Sequence, residues 1–275
     1  MNVIRYPGSK INLGLRVTER RSDGFHNLES LFVYVPDIAD ILEIAESKKL
    51  SLTLYGDYLD CKSEDNLVIR AYNLLAANYK IPPVEIHLYK KIPSGAGLGG
   101  GSSDGAMALI ILNSMFDLRL TGEELAEYAL KLGSDCPFFV YAQFDAISRN
   151  PRNIATGSID GAYSGRAMLA GGRGEILSSV EIPQLEGRII KIEIPPVHVS
   201  TAEAYRGVTP ATPATPLIQL LKQPIEEWRN TIVNDFEEHI FEKYPIIEEQ
   251  KKRMYEQGAI YASMSGSGSA VFGIF

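Results

Sequence analysis

The chain has 275 residues, 45% apolar and 22% charged, and a net charge of −7, enough for one large or two modest domains with a sizeable core. That acidic balance argues against a broad basic nucleic-acid-binding face, so a phosphate site must be built locally and the expected partner is a small anion. No apolar run approaches the roughly 20 residues that span a bilayer. Cys61 and Cys136 lack disulfide or zinc-ligand spacing and no secretory segment precedes Asn2, so a cytoplasmic chain without membrane, nucleic acid or structural metal is expected.

Val3 to Tyr6 and Ile11 to Val17 read as strands around Pro7-Gly8-Ser9. The alternation of Ile11, Leu13, Leu15 and Val17 puts Lys10 and Asn12 on the other face, which suits either a solvated pair or a polar site. Glu19 to Asn27 is a polar turn with Asp23-Gly24 at its tip. Phe25-His26 at its rim suits packing or stacking on a base. Leu28 to Val35, Asp37 to Ile44 and Leu50 to Tyr55 read as further strands, and Asp65 as the N-cap of an amphipathic helix reaching Asn78.

Val84, Ile86 and Leu88 alternate with Glu85 and His87, the period of a half-buried strand. There follows Lys91-Ile92-Pro93-Ser94-Gly95-Ala96-Gly97-Leu98-Gly99-Gly100-Gly101-Ser102-Ser103-Asp104, and then apolar residues at helical spacing from Ala106 to Leu118. Strand, glycine loop and helix together make an anion site: bare backbone N–H groups meet the ligand beside the positive end of the helix dipole. Gly95-x-Gly97-x-x-Gly100 matches the letters of a dinucleotide fingerprint, but that fold needs a second strand next. Here Thr121 to Leu132 follows, with Thr121 and Glu124 as a capping box, and reads as a second helix. No Gly-Lys-Ser/Thr ends the loop, which excludes a Walker A motif.

Gly133-Ser134-Asp135-Cys136-Pro137-Phe138-Phe139 ends that helix and begins another, with Gly133 as a left-handed cap and Pro137 in a first turn. Asp135 suits either an N-cap or a base that accepts a hydroxyl proton during phosphoryl transfer. Residues 144–165 show no clear period and read as a long loop, either a surface excursion or a lid. Beyond it come the turn Ala170-Gly171-Gly172-Arg173-Gly174-Glu175, a strand over Arg188 to Ile194, and a helix start at Ser200-Thr201 in which Thr201 is the expected cap. Thr209 to Pro216 reads as an extended loop. Pro224 to Glu242, with Trp228 in the core, and Pro245 to Gln257 read as helices; Ala259 to Met264 and Ala270 to Phe275 read as a hairpin around Ser265-Gly266-Ser267-Gly268-Ser269.

The glycine loop resembles the second signature motif of the GHMP kinases, the family of galactokinase, homoserine kinase and mevalonate kinase. Gly133-x-Asp135-x-Pro137-Phe138-Phe139 and the 265–269 turn are similar to other motifs of the family, in the same order. The resemblance implies an α+β fold of two domains: an amino-terminal ribosomal-protein-S5-like ATP-binding domain, residues 1–165, in which about 144–165 look inserted relative to the family, and a carboxy-terminal ferredoxin-like domain, residues 166–275, that closes on the substrate. Lys10-Ile11-Asn12-Leu13 with Arg21-Ser22-Asp23-Gly24-Phe25-His26-Asn27-Leu28 looks like the first motif of the branch whose acceptor is 4-diphosphocytidyl-2-C-methyl-D-erythritol, phosphorylated on its 2-hydroxyl in the non-mevalonate isoprenoid pathway.

That resemblance implies Asp135 and Lys10 as catalytic residues and Asn12, Phe25, His26, Thr201 and Tyr205 as substrate-binding residues. It gives Asn66, Lys90 and Pro93 through Ser103 to ATP, with Mg²⁺ whose protein ligands the sequence does not identify. Phe25 stands where the family commonly has tyrosine, which keeps stacking and loses a hydroxyl. The resemblance leaves monomer and homodimer open. Two rivals are a GHMP kinase for another alcohol, and a nucleotide-binding module without turnover.

Overall fold

The structure is a computed structural model that describes residues 1–56, 63–149 and 166–275, without the side chains of 145–149. In chain order the elements are β1 (Asn2–Arg5), β2 (Gly8–Arg20), β3 (His26–Ala39), β4 (Ile41–Glu46), β5 (Ser51–Tyr55), α1 (Leu67–Ala76), β6 (Val84–Tyr89), α2 (Gly100–Met115), α3 (Gly122–Leu130) and α4 (Cys136–Arg149). After them come β7 (Ala167–Gly171), β8 (Ile176–Val180), β9 (Ile190–Glu193), α5 (Thr201–Arg206), α6 (Leu217–Leu220), α7 (Trp228–Thr231), α8 (Glu237–Lys243), α9 (Pro245–Glu256), β10 (Tyr261–Met264) and β11 (Val271–Ile274). Helices and sheets alternate irregularly, an α+β chain.

Two compact units interleave. The first comprises residues 1–9, 36–94 and 99–159, and the second 10–35, 95–98 and 160–275. The compact units are therefore not the contiguous halves 1–165 and 166–275.

In the first unit β1, β4, β6 and β5 form one sheet, antiparallel except for the β5–β6 pair. Its inward residues Leu42, Ile44, Val84, Ile86 and Leu88 are fully shielded from water. Helix α2 packs against α1 and α4 and is buried along nearly its whole length, Ala106 to Leu112 included. A helix apolar on all sides is held by tertiary packing, which is why it tolerates glycines in its first turn.

The second unit holds the sheets β2-β3-β7-β8 and β10-β11-β9. Its core joins Leu15 and Val17 of β2 with Phe236, Ile240, Ile247 and Met254 of the late helices and Ala262, Met264 and Val271 of the hairpin. Trp228 is fully buried, as expected.

Several boundaries differ from the sequence reading. Helix α2 starts at Gly100 rather than near Ala106, so Ser102, Ser103 and Asp104 belong to its first turns. The cap of α1 is Asn66, whose side chain accepts from Val68 N–H at 3.1 Å, and not Asp65. Ser200 rather than Thr201 caps α5, accepting from Glu203 N–H. The strand expected over Asp37 to Ile44 breaks at Asp40, and the helix expected over Pro224 to Glu242 breaks around Asn234 and Asp235. Helix α4 runs on to Arg149, so the expected insertion begins as helix; its remainder, 150–165, and Cys61 lie outside the described residues.

Candidate active site

In the first unit the strand before the glycine loop delivers Lys90 into a buried cluster. Its ammonium donates to Asp104 Oδ2 at 2.7 Å and to Asp40 Oδ2, and the three side chains are 8%, 2% and 0% exposed. The other oxygen of Asp40 accepts from the backbone N–H groups of Lys91 (2.5 Å) and Ile92 (2.8 Å), the residues that lead into the loop. Burial, with repulsion from Asp40 added, pushes the Asp104 carboxyl up to about 8 against the pull of Lys90. Burial also works against the Lys90 ammonium, but Asp104 and Asp40 outweigh it and hold its pKa above the ordinary value. A lysine, a carboxylate and a protonated carboxyl make a neutral cluster, the cheapest way to bury these three groups. Asp40 was not singled out from the sequence.

The loop reaches α2 through Gly99, the helix N-cap, with φ of 70°. Among the described residues Ser103 Oγ and Asp104 Oδ1 are buried without a hydrogen-bond partner. Gly101 is exposed, and a Cβ added there would meet nothing within 4 Å. Glycine in a helix costs up to about 1 kcal/mol relative to alanine. The space around this position does not require glycine.

Asp135 sits half-buried on the turn between α3 and α4, next to Cys136 at the α4 start. Helix α2 packs on α4, and Ser102 in the first turn of α2 lies beside the Cys136 thiol. Burial pushes that thiol up to about 12, so it stays a neutral packing group. Asn66 caps α1 in the same unit.

The second unit holds residues 95–98 of the loop. Lys10 N–H donates to Leu98 O at 2.9 Å, and Ala270 N–H to Ala96 O at 3.1 Å. Asn12 N–H donates to Ser265 Oγ (3.2 Å), which in turn donates to Gly97 O (2.8 Å). Gly97 has φ of +76°, and a Cβ there would stand 1.9 Å from Ser265 O, so glycine is required by both torsion and space. Asn234 donates to Met264 O and Gly266 O at 2.8 Å each and so holds the 265–269 turn; it too was missed in the sequence.

Lys10 and Asn12 are 4% and 2% exposed, so their strand face is a buried polar site and not a solvated one. The Lys10 ammonium donates to Asn12 Oδ1 and lies 4.8 Å from the Phe32 ring centroid, while Asn12 Nδ2 donates to Ser30 Oγ at 2.9 Å.

Tyr205 of α5 stacks on His26 with ring centroids 4.9 Å apart and planes at 17°, and meets Phe236 edge-on at 4.9 Å. Phe25 is exposed, its ring 5.0 Å from the Arg173 guanidinium. His26 thus faces Tyr205. Thr201 Oγ1 lies 3.4 Å from Ser267 Oγ. Among the described residues no cluster of three His, Cys, Asp or Glu side chains is set to hold a metal, and no helix is long and apolar enough to cross a membrane.

The chain matches two family models, GHMP kinases N terminal domain over residues 66–143 and GHMP kinases C terminal over 216–275. A curated protein of Bacteroides thetaiotaomicron named 4-diphosphocytidyl-2-C-methyl-D-erythritol kinase is 45% identical over 277 residues, covering 99% of this chain and 92% of that protein. One of the same name from Caldanaerobacter subterraneus is 32% identical, covering 97% and 86%. A crystal structure of 4-(cytidine 5'-diphospho)-2C-methyl-D-erythritol kinase matches with 33% identity and a TM-score of 0.76, over 99% of this chain and 90% of that one.

Proposed function

We propose, from a chain that belongs to the GHMP kinases and within them to the 4-diphosphocytidyl-2-C-methyl-D-erythritol kinases, that it transfers the γ-phosphoryl group of ATP to the 2-hydroxyl of 4-diphosphocytidyl-2-C-methyl-D-erythritol. The observation that carries this reading is the relay from Asn12 N–H through Ser265 Oγ to Gly97 O. It ties together one residue from each of three sequence motifs.

In the reaction the acceptor oxygen attacks the γ-phosphorus, a new O–P bond forms, and the bond to the departing ADP oxygen breaks. Asp135 takes the hydroxyl proton and passes it to solvent. Lys10, neutralising charge beside the acceptor, stabilises the developing negative oxygen, as a fixed cation in a water-poor site does far better than one in solution. Asn12 orients the acceptor. Residues Pro93 through Ser103 cradle the polyphosphate, with backbone N–H groups from the residues after Pro93 and the Ser102 and Ser103 hydroxyls; the unpartnered Ser103 oxygen suits that use. Asn66 and Lys90 are assigned to the nucleotide side, Asn66 by its amide and Lys90 by holding the loop entry.

Mg²⁺ bound with ATP would supply neutralisation of charge on the transferring group, and on the protein side the Ser102 and Ser103 hydroxyls are the groups that would help to hold it. Phe25, His26 and Tyr205 take the cytosine, where base–aromatic stacking contributes about 1–3 kcal/mol, and Thr201 the erythritol end. A cytoplasmic monomer or homodimer without nucleic-acid partners completes the reading.

The test is ADP release from Mg-ATP with four alcohols: the cytidine-bearing methylerythritol, mevalonate, homoserine and galactose. Turnover confined to the first supports the reading. Turnover with another alcohol replaces the acceptor, and ATP binding without any turnover replaces the enzyme with a binding module.

A further inference from the structure

An acceptor with a cytidine diphosphate brings two phosphate charges to the second unit, in a chain whose own net charge is −7. Most cations near the proposed base-binding residues are committed elsewhere. Lys10 donates to Asn12. Arg16 donates to the carbonyls of Thr215 and Thr231 and lies 3.7 Å from Glu29. Arg21 is bonded to Asp23 and Asn27.

Arg173 differs. It stands at the tip of the turn between β7 and β8, and that turn is fixed: Gly172 O accepts from Leu28 N–H at 2.7 Å, and Glu175 Oε2 accepts from Arg173 N–H at 2.6 Å. The backbone is thereby tied to the strand that begins with His26. The guanidinium lies 5.0 Å from the Phe25 ring centroid, its Nε is 3.8 Å from Glu175 Oε1, and its charge also acts on Asp23. Among the described residues its two Nη groups have no hydrogen-bond partner. The Phe25 loop is also held, by Arg21 N–H to Phe25 O (2.8 Å) and Phe25 N–H to Asp23 Oδ1 (3.1 Å). Of the acidic groups here, Asp23 is paired with Arg21 at 3.0 Å, and Glu175 is bent into its own turn.

We propose that Arg173 binds the diphosphate of the acceptor, using the planar face of its guanidinium on Phe25 and its open Nη fork on the phosphate oxygens. The fork matches the spacing of two phosphate oxygens, and stacking fixes the fork's plane without consuming its donors. This inference rests on the cytidine-bearing acceptor proposed above. It adds the group that distinguishes a nucleoside diphosphate from a nucleoside.

The experiment titrates cytidine and CDP into wild type, Arg173→Ala and Arg173→Lys by calorimetry, with KM for acceptor and for ATP measured alongside. Wild type should prefer CDP over cytidine. Arg173→Ala should lose roughly 10–100-fold in CDP affinity, keep its cytidine affinity and its KM for ATP, and raise KM for the acceptor. Arg173→Lys should recover part of the loss, as a point charge without the fork. Equal weakening of cytidine and CDP would reduce Arg173 to packing on Phe25 and overturn the proposal, as would unchanged CDP binding. A wild-type chain that binds neither compound would remove the cytidine acceptor itself, and this inference with it.

Discussion

Lys90 Nζ lies 2.7 Å from Asp104 Oδ2, joining the last residue of one strand's run into the loop with the first turns of the helix that follows it. Asp40 closes the cluster and accepts from the two backbone N–H groups after Lys90. The loop's entry and exit are thus held by one neutral, water-poor set of charges. Removing the lysine leaves two buried carboxyl groups with no cation. Lys90→Met should cost about 3–5 kcal/mol in urea unfolding; a loss below about 1 kcal/mol would show that the cluster is not a structural clamp.

The same cluster makes stability depend on pH. Asp104 is raised from 3.8 to about 8, so between those values the folded chain holds a proton that the unfolded chain has released. Stability from this group is full below pH 3.8 and is lost as pH rises toward 8. Asp104→Asn abolishes that component. Unfolding free energies at pH 5 and pH 8 should fall with pH more steeply in wild type than in Asp104→Asn, and parallel profiles would contradict it.

Asn66 has two assignments that substitution separates. Its Oδ1 caps α1, and its amide is proposed for adenine. Asn66→Ala should lose about 1 kcal/mol of stability, whereas Asn66→Asp keeps an equally good cap. Without an amide donor, both should raise KM for ATP about 2–10-fold. An unchanged KM in Asn66→Asp would leave the residue as a cap alone.

Two glycines of the loop should respond in opposite ways to alanine. At Gly97 the positive φ and the Ser265 carbonyl forbid a Cβ, so Gly97→Ala should lower Tm and weaken ATP together. At Gly101 the Cβ has open space, and alanine should stabilise by about 0.5–1 kcal/mol. If the polyphosphate lies on this backbone, Gly101→Ala should nevertheless raise KM for ATP. A stabilised variant with unaltered KM would move the ligand away from that turn.

Much of the fold was legible where local signals agree with packing. The alternation through Val84, Ile86 and Leu88 became β6, and Thr121 with Glu124 formed the expected capping box. The misses are places where distant residues decide. Asp40 interrupts a run that alternates well enough to read as one strand, and its partners are fifty or more residues away. Asn234 and Asp235 break a helical pattern because Asn234 is drawn to the carbonyls of Met264 and Gly266 and Asp235 N–H to Leu15 O. Glycines gave no helical signal at residues 100–101, where burial of α2 overrides weak propensity. The motif residues, Ser265 among them, stand out in the sequence, but the side chains that hold the motifs, Asp40 and Asn234, and the open fork of Arg173 required the folded chain.

The most direct test of the account is single-turnover phosphoryl transfer from saturating Mg-ATP to 4-diphosphocytidyl-2-C-methyl-D-erythritol, comparing wild type with Asp135→Asn and measuring ATP affinity in parallel. Loss of the base should slow transfer about 10²–10⁴-fold with ATP binding intact. A transfer rate within about threefold of wild type would contradict Asp135 as the proton acceptor and, with it, the mechanism proposed for this chain.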